Sequence, residues 1–270
     1  GLPLWWATGK AVLERIQTII QPPMSAGERV ARDRTALILW LSLPIALGFT
    51  LLGGKQAIYP AWPAPGFWGL TLLLAHSASQ WRARTVRRWL GSAALVLGPL
   101  ALVALLHLNV GLLQKPSSFA LFGGLVPVAQ DGSTTLLNVR QWRARFAQEP
   151  TLMAALESAD FIFTDEWYLS GYADMALYPL VRQPITCFSQ DPRGFAFWHE
   201  PQTWIGQDAL YITLASLHPN RSELVREFQP YFQNLEAIAE VPLTRGGAPT
   251  ETVLVYRASS LQHPYAYPYP

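Results

Sequence analysis

The sequence predicts a membrane protein: an α-helical transmembrane segment of three spans, followed by a C-terminal extracytoplasmic α/β domain. Two observations predict this fold. Only 14% of the 270 residues are charged, against about 25% in soluble globular domains. Residues 1–115 contain 11 Lys/Arg and 3 Asp/Glu, whereas residues 116–270 contain 9 and 15. This asymmetry predicts a membrane domain at 1–115 and a different kind of domain at 116–270.

Three uncharged stretches are candidates for membrane spans, since a bilayer core of about 30 Å needs roughly 20 residues of helix. They lie at about 36–54, 62–80 and 90–114. The first and third are strongly apolar, with Pro44 inside the first. The middle stretch carries His76 and Gln80 in its more polar second half, so a soluble core helix is its alternative.

The segment at 2–20 precedes these spans and combines tryptophans with charged residues. It is either a helix lying in the membrane interface or the end of an earlier span. Because the chain opens at Gly1 without an initiator Met, we expect it to be part of a longer protein.

Arginine and lysine predict the orientation of the spans. Three arginines precede the first span and four lie between the second and third, whereas Lys55 and Lys115 alone mark the other two loops. Basic loops stay in the cytoplasm, so Lys55–Pro65 and everything after Lys115 should face outward. The predicted location is therefore an inner or plasma membrane, multi-pass and surrounded by membrane lipids. The arginine cluster lies between apolar runs, which argues against nucleic acid as a partner.

The outward region alternates short apolar runs with helical patterns, which predicts parallel strand pairing in a small α/β layer. Its first part has a helix at 152–159, a buried strand at 160–164, a helix at 166–177 with Asp165 as N-cap, and a strand at 185–188. Its second part has a strand at 209–215, a helix at 222–232, and an antiparallel pair at 236–241 and 252–257 joined through Gly246-Gly247. The tail at 263–270 is predicted to be extended or frayed.

Few residues outside these elements indicate chemistry. Asp165-Glu166 is a carboxylate pair that could share acid and base roles, or simply a helix N-terminus where negative charge is favourable. His199-Glu200 has no second ligand at metal-binding spacing, and His218 is isolated. We therefore expect no cofactor, and the sequence leaves open whether a divalent cation takes part. Cys187 is the single cysteine, so an intramolecular disulfide is excluded.

The outward loop between the first two spans combines prolines with aromatic residues around Lys55, Tyr59 and Trp62. These residues either hold a helix end at the membrane interface or line a groove for a lipid-linked substrate, with Lys55 near its phosphate. Both interpretations remain open.

At this loop the sequence resembles glycosyltransferase family 39, a group of GT-C membrane enzymes that includes protein O-mannosyltransferases and the aminoarabinose transferase of lipid A. The resemblance extends from about Arg34 to Thr213. Its blocks are Ser42-Leu-Pro44, Tyr59–Pro65, Gly69-Leu70, Ala159–Asp165, Tyr168-Leu169, Ala176–Pro179, Arg193–Trp198 and Trp204–Tyr211. The family pattern typically has Asn where this chain has Ala61.

The resemblance implies transfer of a sugar from a polyprenyl-phosphate carrier to an acceptor on the non-cytoplasmic side. It places the catalytic acidic residue upstream of this chain, so no catalytic residue is assigned here. The substrate-binding residues that we predict are Lys55, Tyr59, Trp62, Asp165, Arg193 and Trp198. The alternative function is a non-catalytic, membrane-anchored protein that binds a ligand or partner.

Overall fold

A computed structural model describes residues 2–20, 25–56, 58–59 and 61–269. The chain divides into two compact units, residues 1–103 and 104–270. The boundary that we predicted from charge, 115/116, lies inside the second unit, because the second unit includes the last turns of a long helix.

Helices make up the first unit. They are α1 (Leu2–Ile20), α2 (Ala26–Gly53), α3 (Ala64–Ser79) and most of α4 (Ala83–Val110). By length and apolar composition, α2 and α4 can cross a membrane. The helix at the predicted second span, α3, has 16 residues. The two long apolar helices, α2 and α4, support a membrane-associated chain.

The apolar surface of α4 is uncovered. None of its residues, all of which the structure describes, is buried. Leu95, Leu100 and Leu102 are all exposed to more than half of their full area. A core helix of a soluble protein buries such side chains, because transferring apolar area from water is favourable by about 25 cal/mol per Å². The exposed face of α4 is therefore suited to lipid.

Small residues bring α2 and α3 into close contact. A Cβ atom placed on Gly66 would lie 2.5 Å from the amide nitrogen of Ala46 and 2.7 Å from the carbonyl oxygen of Ser42. Only glycine permits this approach. Small residues at a helix crossing are typical of helix pairs within membranes, where close backbone packing takes the place of hydrophobic burial.

The ends of the two long helices differ from the predicted spans. α2 begins at Ala26, ten residues early, because Ser25 and Glu28 form a reciprocal capping box with bonds of 3.2 and 2.8 Å. α4 ends at Val110 because Gly111 adopts a left-handed conformation, with φ of 71°. Gln114, predicted as the end of the third span, lies instead in a short strand.

The second unit is an α/β fold built on a five-stranded sheet of order β4-β3-β5-β7-β6. The strands of the second unit are β1 (Gln114–Lys115), β2 (Val126–Pro127), β3 (Phe161–Thr164), β4 (Ile185–Cys187), β5 (Ala209–Leu214), β6 (Phe232–Arg245) and β7 (Ala248–Leu261). β1 and β2 form a separate two-stranded sheet. The helices of this unit are α5 (Val139–Gln148), α6 (Pro150–Ser158), α7 (Trp167–Leu177), α8 (Phe195–Trp198) and α9 (Arg221–Phe228). β3 pairs in parallel with both β4 and β5, which confirms the predicted parallel pairing.

The sheet separates two cores because successive strand residues point to opposite faces. Ile162 packs with α5, α6 and α7 on one face. Phe161 and Phe163 pack with α9 on the other face. The unit therefore has helices on both sides of its sheet, as α/β folds with parallel strands do.

The closing hairpin β6–β7 is confirmed, with Gly246 and Gly247 at its turn, both with positive φ. Each strand is much longer than predicted. Bulges between Ala237 and Ala239 and between Leu243 and Thr244 shift the register, so the period-two pattern breaks along β6. β6 lies at the sheet edge, which is where a strand tolerates a proline such as Pro242.

The tail is ordered against the sheet, so the prediction of a frayed end is wrong for residues 263–269. Tyr265 is buried and its ring stacks on Phe188 at 4.7 Å with an interplanar angle of 2°. The hydroxyl groups of Tyr267 and Thr186 lie 2.9 Å apart. Aromatic burial accounts for the difference, since each ring removes a large apolar area from water.

Replacing Tyr265 with alanine should destabilise the second unit by about 3 kcal/mol, because it leaves a cavity beside Phe188. Thermal unfolding of the chain in detergent, followed by tryptophan fluorescence, measures the change. Tyr269→Ala is the matched control: Tyr269 stacks on Phe197 at the surface, and we expect less than about 1 kcal/mol. Equal losses for the two variants would contradict the docked tail.

Candidate functional site

The site is centred on Asp165, the first residue after β3. Its carboxylate accepts hydrogen bonds from the Tyr211 hydroxyl at 3.0 Å and the Thr213 hydroxyl at 2.9 Å. Nε2 of His218 forms a short contact with the same carboxylate. The Asp165 side chain is 9% exposed. A polar group this buried needs hydrogen-bond partners, and Asp165 has three.

Asp165 therefore does not act as the N-cap that we predicted. Glu166 occupies the N-cap position of α7, and the described hydrogen bonds give its side chain no capping role. The reason is a tertiary interaction. The Asp165 carboxylate is bound by Tyr211 and Thr213 of the neighbouring strand β5 and by His218, which follows that strand.

Sheet topology places these groups together. The connection after β3 leads into α7 on one face of the sheet, and the connection after β5 leads into α9 on the opposite face. Between two such parallel strands a crevice opens at their carboxyl ends, where α/β proteins usually bind ligands. Asp165 follows β3 and His218 follows β5, so both lie at this switch point.

Electrostatics fix the protonation of two donors. The hydrogen bond to Asp165 raises the pKa of His218, with burial opposing and the charge of Asp165 reinforcing the rise. Burial, followed by the charge of Asp165, raises the pKa of Tyr211 well above its ordinary range. Tyr211 is therefore a neutral donor, and His218 favours its imidazolium form more than a free histidine does.

Glu166 lies beside this cluster with a different environment. Burial raises the pKa of Glu166, and the charges of Asp165 and Asp191 add to the rise. A half-buried carboxyl group with a raised pKa at a strand end can exchange protons near neutrality more easily than an ordinary glutamate.

The rim of the site carries a cation and exposed rings. The Arg193 guanidinium is 2.9 Å from the Asp191 carboxylate and lies 5.3 Å from the centre of the Trp167 ring. Arg193 has a φ of 53°, a conformation uncommon for arginine. Trp198 is largely exposed and packs against Phe195 with ring centres 4.5 Å apart. Exposed aromatic rings with a nearby guanidinium suit the faces and hydroxyl groups of a polar ring ligand.

Cys187 is the last residue of β4, and burial suppresses the reactivity of its thiol. Burial raises the pKa of its thiol to about 12. At neutral pH it is a thiol and not a thiolate, so it is a structural residue of the core. Within the described residues, no group of three or more His, Cys, Asp and Glu side chains could hold a metal ion.

The six predicted substrate-binding residues fall into both units. Lys55 follows α2 and is exposed, and the Trp62 ring lies 5.6 Å from that of Tyr59. Trp62 also contacts Phe49, with ring centres 5.7 Å apart. This ring cluster is the arrangement expected of residues that hold a helix end, although Tyr59 and Trp62 both remain exposed.

Asp165, Arg193 and Trp198 belong to the second unit. Arg193 precedes α8 and Trp198 is its last residue, and within the described residues no hydrogen bond or ion pair joins Arg193 to Asp165. The sequence interpretation missed Tyr211, Thr213 and His218. The sequence could have indicated them through the predicted topology, because residues at the carboxyl ends of adjacent parallel strands lie close together.

A second polar cluster lies where α4 ends. Asp131 is 7% exposed, and its carboxylate lies 3.1 Å from Nε2 of His107 and 3.3 Å from the Arg245 guanidinium. The Ser133 hydroxyl donates to it at 2.6 Å. The backbone N–H of Leu113 donates to Nδ1 of His107 at 3.2 Å, which leaves Nε2 as the protonated nitrogen that donates to Asp131.

Burial acts to raise the pKa of Asp131, but hydrogen bonds from Ser133 and the interaction with His107 outweigh it and lower the pKa. The sequence placed His107 inside the third span and gave helix packing as the commoner reason for a polar residue there. Its Asp131 partner lies 24 residues further along the chain, too far for a local pattern to reveal.

No protein-family model, no curated protein and no solved structure matches the chain.

The ion pair between His218 and Asp165 should make stability depend on pH. Because its folded-state pKa is raised, His218 contributes its full stabilisation below about pH 6.5, and this is lost as pH rises through the folded pKa. We expect the melting temperature to fall between about pH 6 and pH 9 in the native chain and to change less in His218→Gln. His263→Gln removes an exposed histidine and should retain the native pH profile. Parallel profiles for the native chain and His218→Gln would contradict the pair.

Replacing Arg245 with methionine should cost about 3 kcal/mol, because it leaves the Asp131 carboxylate buried without its guanidinium partner. Arg193→Met is the matched control. Its partner Asp191 and its own side chain are both more than half exposed, so we expect a loss of about 0–1 kcal/mol. Denaturant unfolding in detergent compares the two. Similar losses would show that the buried cluster contributes nothing beyond a surface pair.

Proposed function

We propose that this chain supplies the carboxyl-terminal segment of an integral membrane glycosyltransferase. The enzyme moves a sugar from a polyprenyl-phosphate carrier to an acceptor on the non-cytoplasmic side of an inner or plasma membrane. In this proposal α2, α3 and α4 are membrane spans, and the unit at 104–270 is extracytoplasmic.

One observation carries the proposal. Blocks of the glycosyltransferase resemblance that are distant in sequence meet in the structure. Asp165 ends one block and Tyr211 ends another, and their side chains share a hydrogen bond of 3.0 Å. Phe161 and Trp204 come from the same two blocks and stack at 4.7 Å with an interplanar angle of 11°. Two of the blocks that carry the resemblance thus contact each other along β3 and β5, which supports a shared role for them.

The distribution of charge supports the membrane orientation. Three arginines precede the apolar part of α2, and Arg82, Arg84, Arg87 and Arg88 lie at the start of α4. The positive-inside rule assigns both clusters to the cytoplasm. The Lys55 loop and the second unit then face the opposite side, where the resemblance places glycosyl transfer.

In the proposed reaction the bond between the anomeric carbon and the carrier phosphate oxygen breaks, and a bond from the acceptor oxygen to that carbon forms with inversion. A carboxylate upstream of this chain takes the acceptor proton. Lys55 stabilises the charge that develops on the leaving phosphate. Tyr59 and Trp62 line the groove for the carrier or its sugar.

The sheet edge of the second unit has a supporting role in this proposal. Asp165 with its three donors fixes the ends of β3 and β5, while Arg193 and Trp198 offer a guanidinium and an exposed ring to sugar or acceptor. Glu166, with its raised pKa, can donate a hydrogen bond to a sugar hydroxyl when protonated and accept one from it when ionised. These side chains bind and orient, and the bond-making step takes place at the lipid carrier.

Turnover by the full-length protein tests the proposal. Proteoliposomes containing a polyprenyl-phosphate-linked sugar and a membrane extract as acceptor should release polyprenyl phosphate, measured by phosphorus NMR. We expect Lys55→Ala to lower turnover roughly 10–100-fold, as removal of a donor to a developing negative charge does. Lys115→Ala, which removes the other lysine of the predicted outward side, should leave turnover unchanged.

The outcomes separate the two functions under consideration. Unchanged turnover in Lys55→Ala would rule out Lys55 as the phosphate contact. Binding of the carrier without turnover by the full-length native protein would overturn the glycosyltransferase proposal and favour a non-catalytic binding protein.

A further inference from the structure

The connection between α4 and α5 exposes an unusual amount of apolar surface. Residues 116–130, here called the apolar loop, contain no charged residue. Its large exposed side chains are Phe119, Leu121, Phe122 and Leu125. Phe122 is 90% exposed, the highest fraction of any large hydrophobic side chain that the structure describes. Contiguous exposed apolar residues of this kind mark surfaces that contact another apolar phase.

Hydrogen bonds hold the apolar loop against the end of α4. The amide of Leu121 donates to the carbonyl of Leu112 at 2.7 Å, and the amide of Leu125 donates to the carbonyl of Leu113 at 2.8 Å. Gln114 pairs with Val126 in the parallel β1–β2 ladder. The loop therefore returns to the residues that directly follow the helix, and its depth relative to the end of α4 is fixed.

The backbone at the tip presents Phe122 outward at a conformational cost. Phe122 has φ of 53° and ψ of 31°, a left-handed conformation that non-glycine residues rarely adopt. Gly124 follows with φ of 86°, and a Cβ there would lie 2.5 Å from the carbonyl oxygen of Gln114. Such strain persists where the surrounding structure imposes it, typically at functional segments. Here the left-handed backbone conformation accompanies an exposed Phe122 side chain.

We propose that the apolar loop inserts into the outward-facing leaflet at the point where α4 leaves the membrane, with Phe122 and Leu125 among the lipid chains. Leu105 and Leu106, in the last turns of α4, are also exposed, so an apolar surface reaches the residues to which the loop is bonded. A protein partner would require a polar rim around the apolar centre. The absence of charge over fifteen consecutive residues fits lipid better, since a segment at the membrane interface buries an apolar face at the boundary of headgroups and acyl chains.

This inference rests on the proposed membrane orientation and adds an anchor to it. The anchor holds the start of the second unit at the membrane surface, the depth at which a sugar attached to a lipid phosphate is found. A span alone would leave the following residues free to rotate away from the lipid headgroups.

Fluorescence quenching of the reconstituted full-length chain tests the anchor. Phe122→Cys is labelled with bimane, and Leu125→Cys repeats the measurement at a second position. Phe197→Cys is the matched control, since Phe197 is a 70% exposed phenylalanine of the same unit. Leu100→Cys on α4 reports lipid, and the parent chain, whose only cysteine is the buried Cys187, gives the labelling background.

Lipids with a nitroxide near the headgroup should quench bimane at positions 122 and 125 at least roughly threefold more than at position 197. Aqueous iodide should show the opposite order. Iodide quenching at 122 and 125 equal to that at 197 would overturn the anchor, as would protection from both quenchers, which indicates coverage by protein. Leu100→Cys is measured with lipids that carry the nitroxide on the acyl chain, and absence of quenching there would instead overturn the proposed spans themselves, so the two failures are distinguishable.

Discussion

The buried charges around Asp131 fix the geometry of the second unit where it begins. Asp131 lies in a loop, His107 near the end of α4 and Arg245 at the tip of the β6–β7 hairpin. The charges of Asp131 and Arg245 are acceptable away from water only while their partners stay in place. Arg245 also donates to the carbonyl of His107 at 3.4 Å and to the hydroxyl of Ser133 at 2.9 Å. The cluster therefore sets the position of the long β6–β7 hairpin relative to the last turns of α4, from which the apolar loop starts.

The same principle operates at the other end of the sheet with a different result. Asp165 accepts hydrogen bonds from two hydroxyl groups and contacts one histidine, and it follows β3 at the carboxyl ends of the parallel strands. The Asp131 cluster joins distant parts of the chain and is structural, whereas Asp165 is followed by Glu166, whose pKa is raised by burial and by the charges of Asp165 and Asp191. This difference in surroundings, and not the number of charges, is why the sheet edge is the stronger candidate for binding a ligand.

Sequence reasoning succeeded where the physical cause was local. Short apolar runs such as Phe161–Thr164, and the glycine pair at the hairpin turn, follow from side-chain alternation and permitted backbone angles. It failed where a long-range contact outweighed a local preference: Asp165 has the sequence context of an N-cap but is bound by the end of β5. His218 had no neighbour in sequence to indicate a site. The bulges of β6 and the docking of Tyr265 arise from packing that no short window contains.

The docked tail has a consequence for the order in which the chain can complete its fold. Phe188 belongs to the first half of the sheet, yet its ring is covered by Tyr265, and Thr186 is bonded by Tyr267. A ribosome retains several tens of residues in its exit tunnel, so β3 and β4 are outside long before the tail emerges. Until then, aromatic side chains of this half of the sheet face water or a chaperone. Completion of this core therefore comes late in synthesis, and a chain interrupted before Tyr265 would expose an aromatic, aggregation-prone surface.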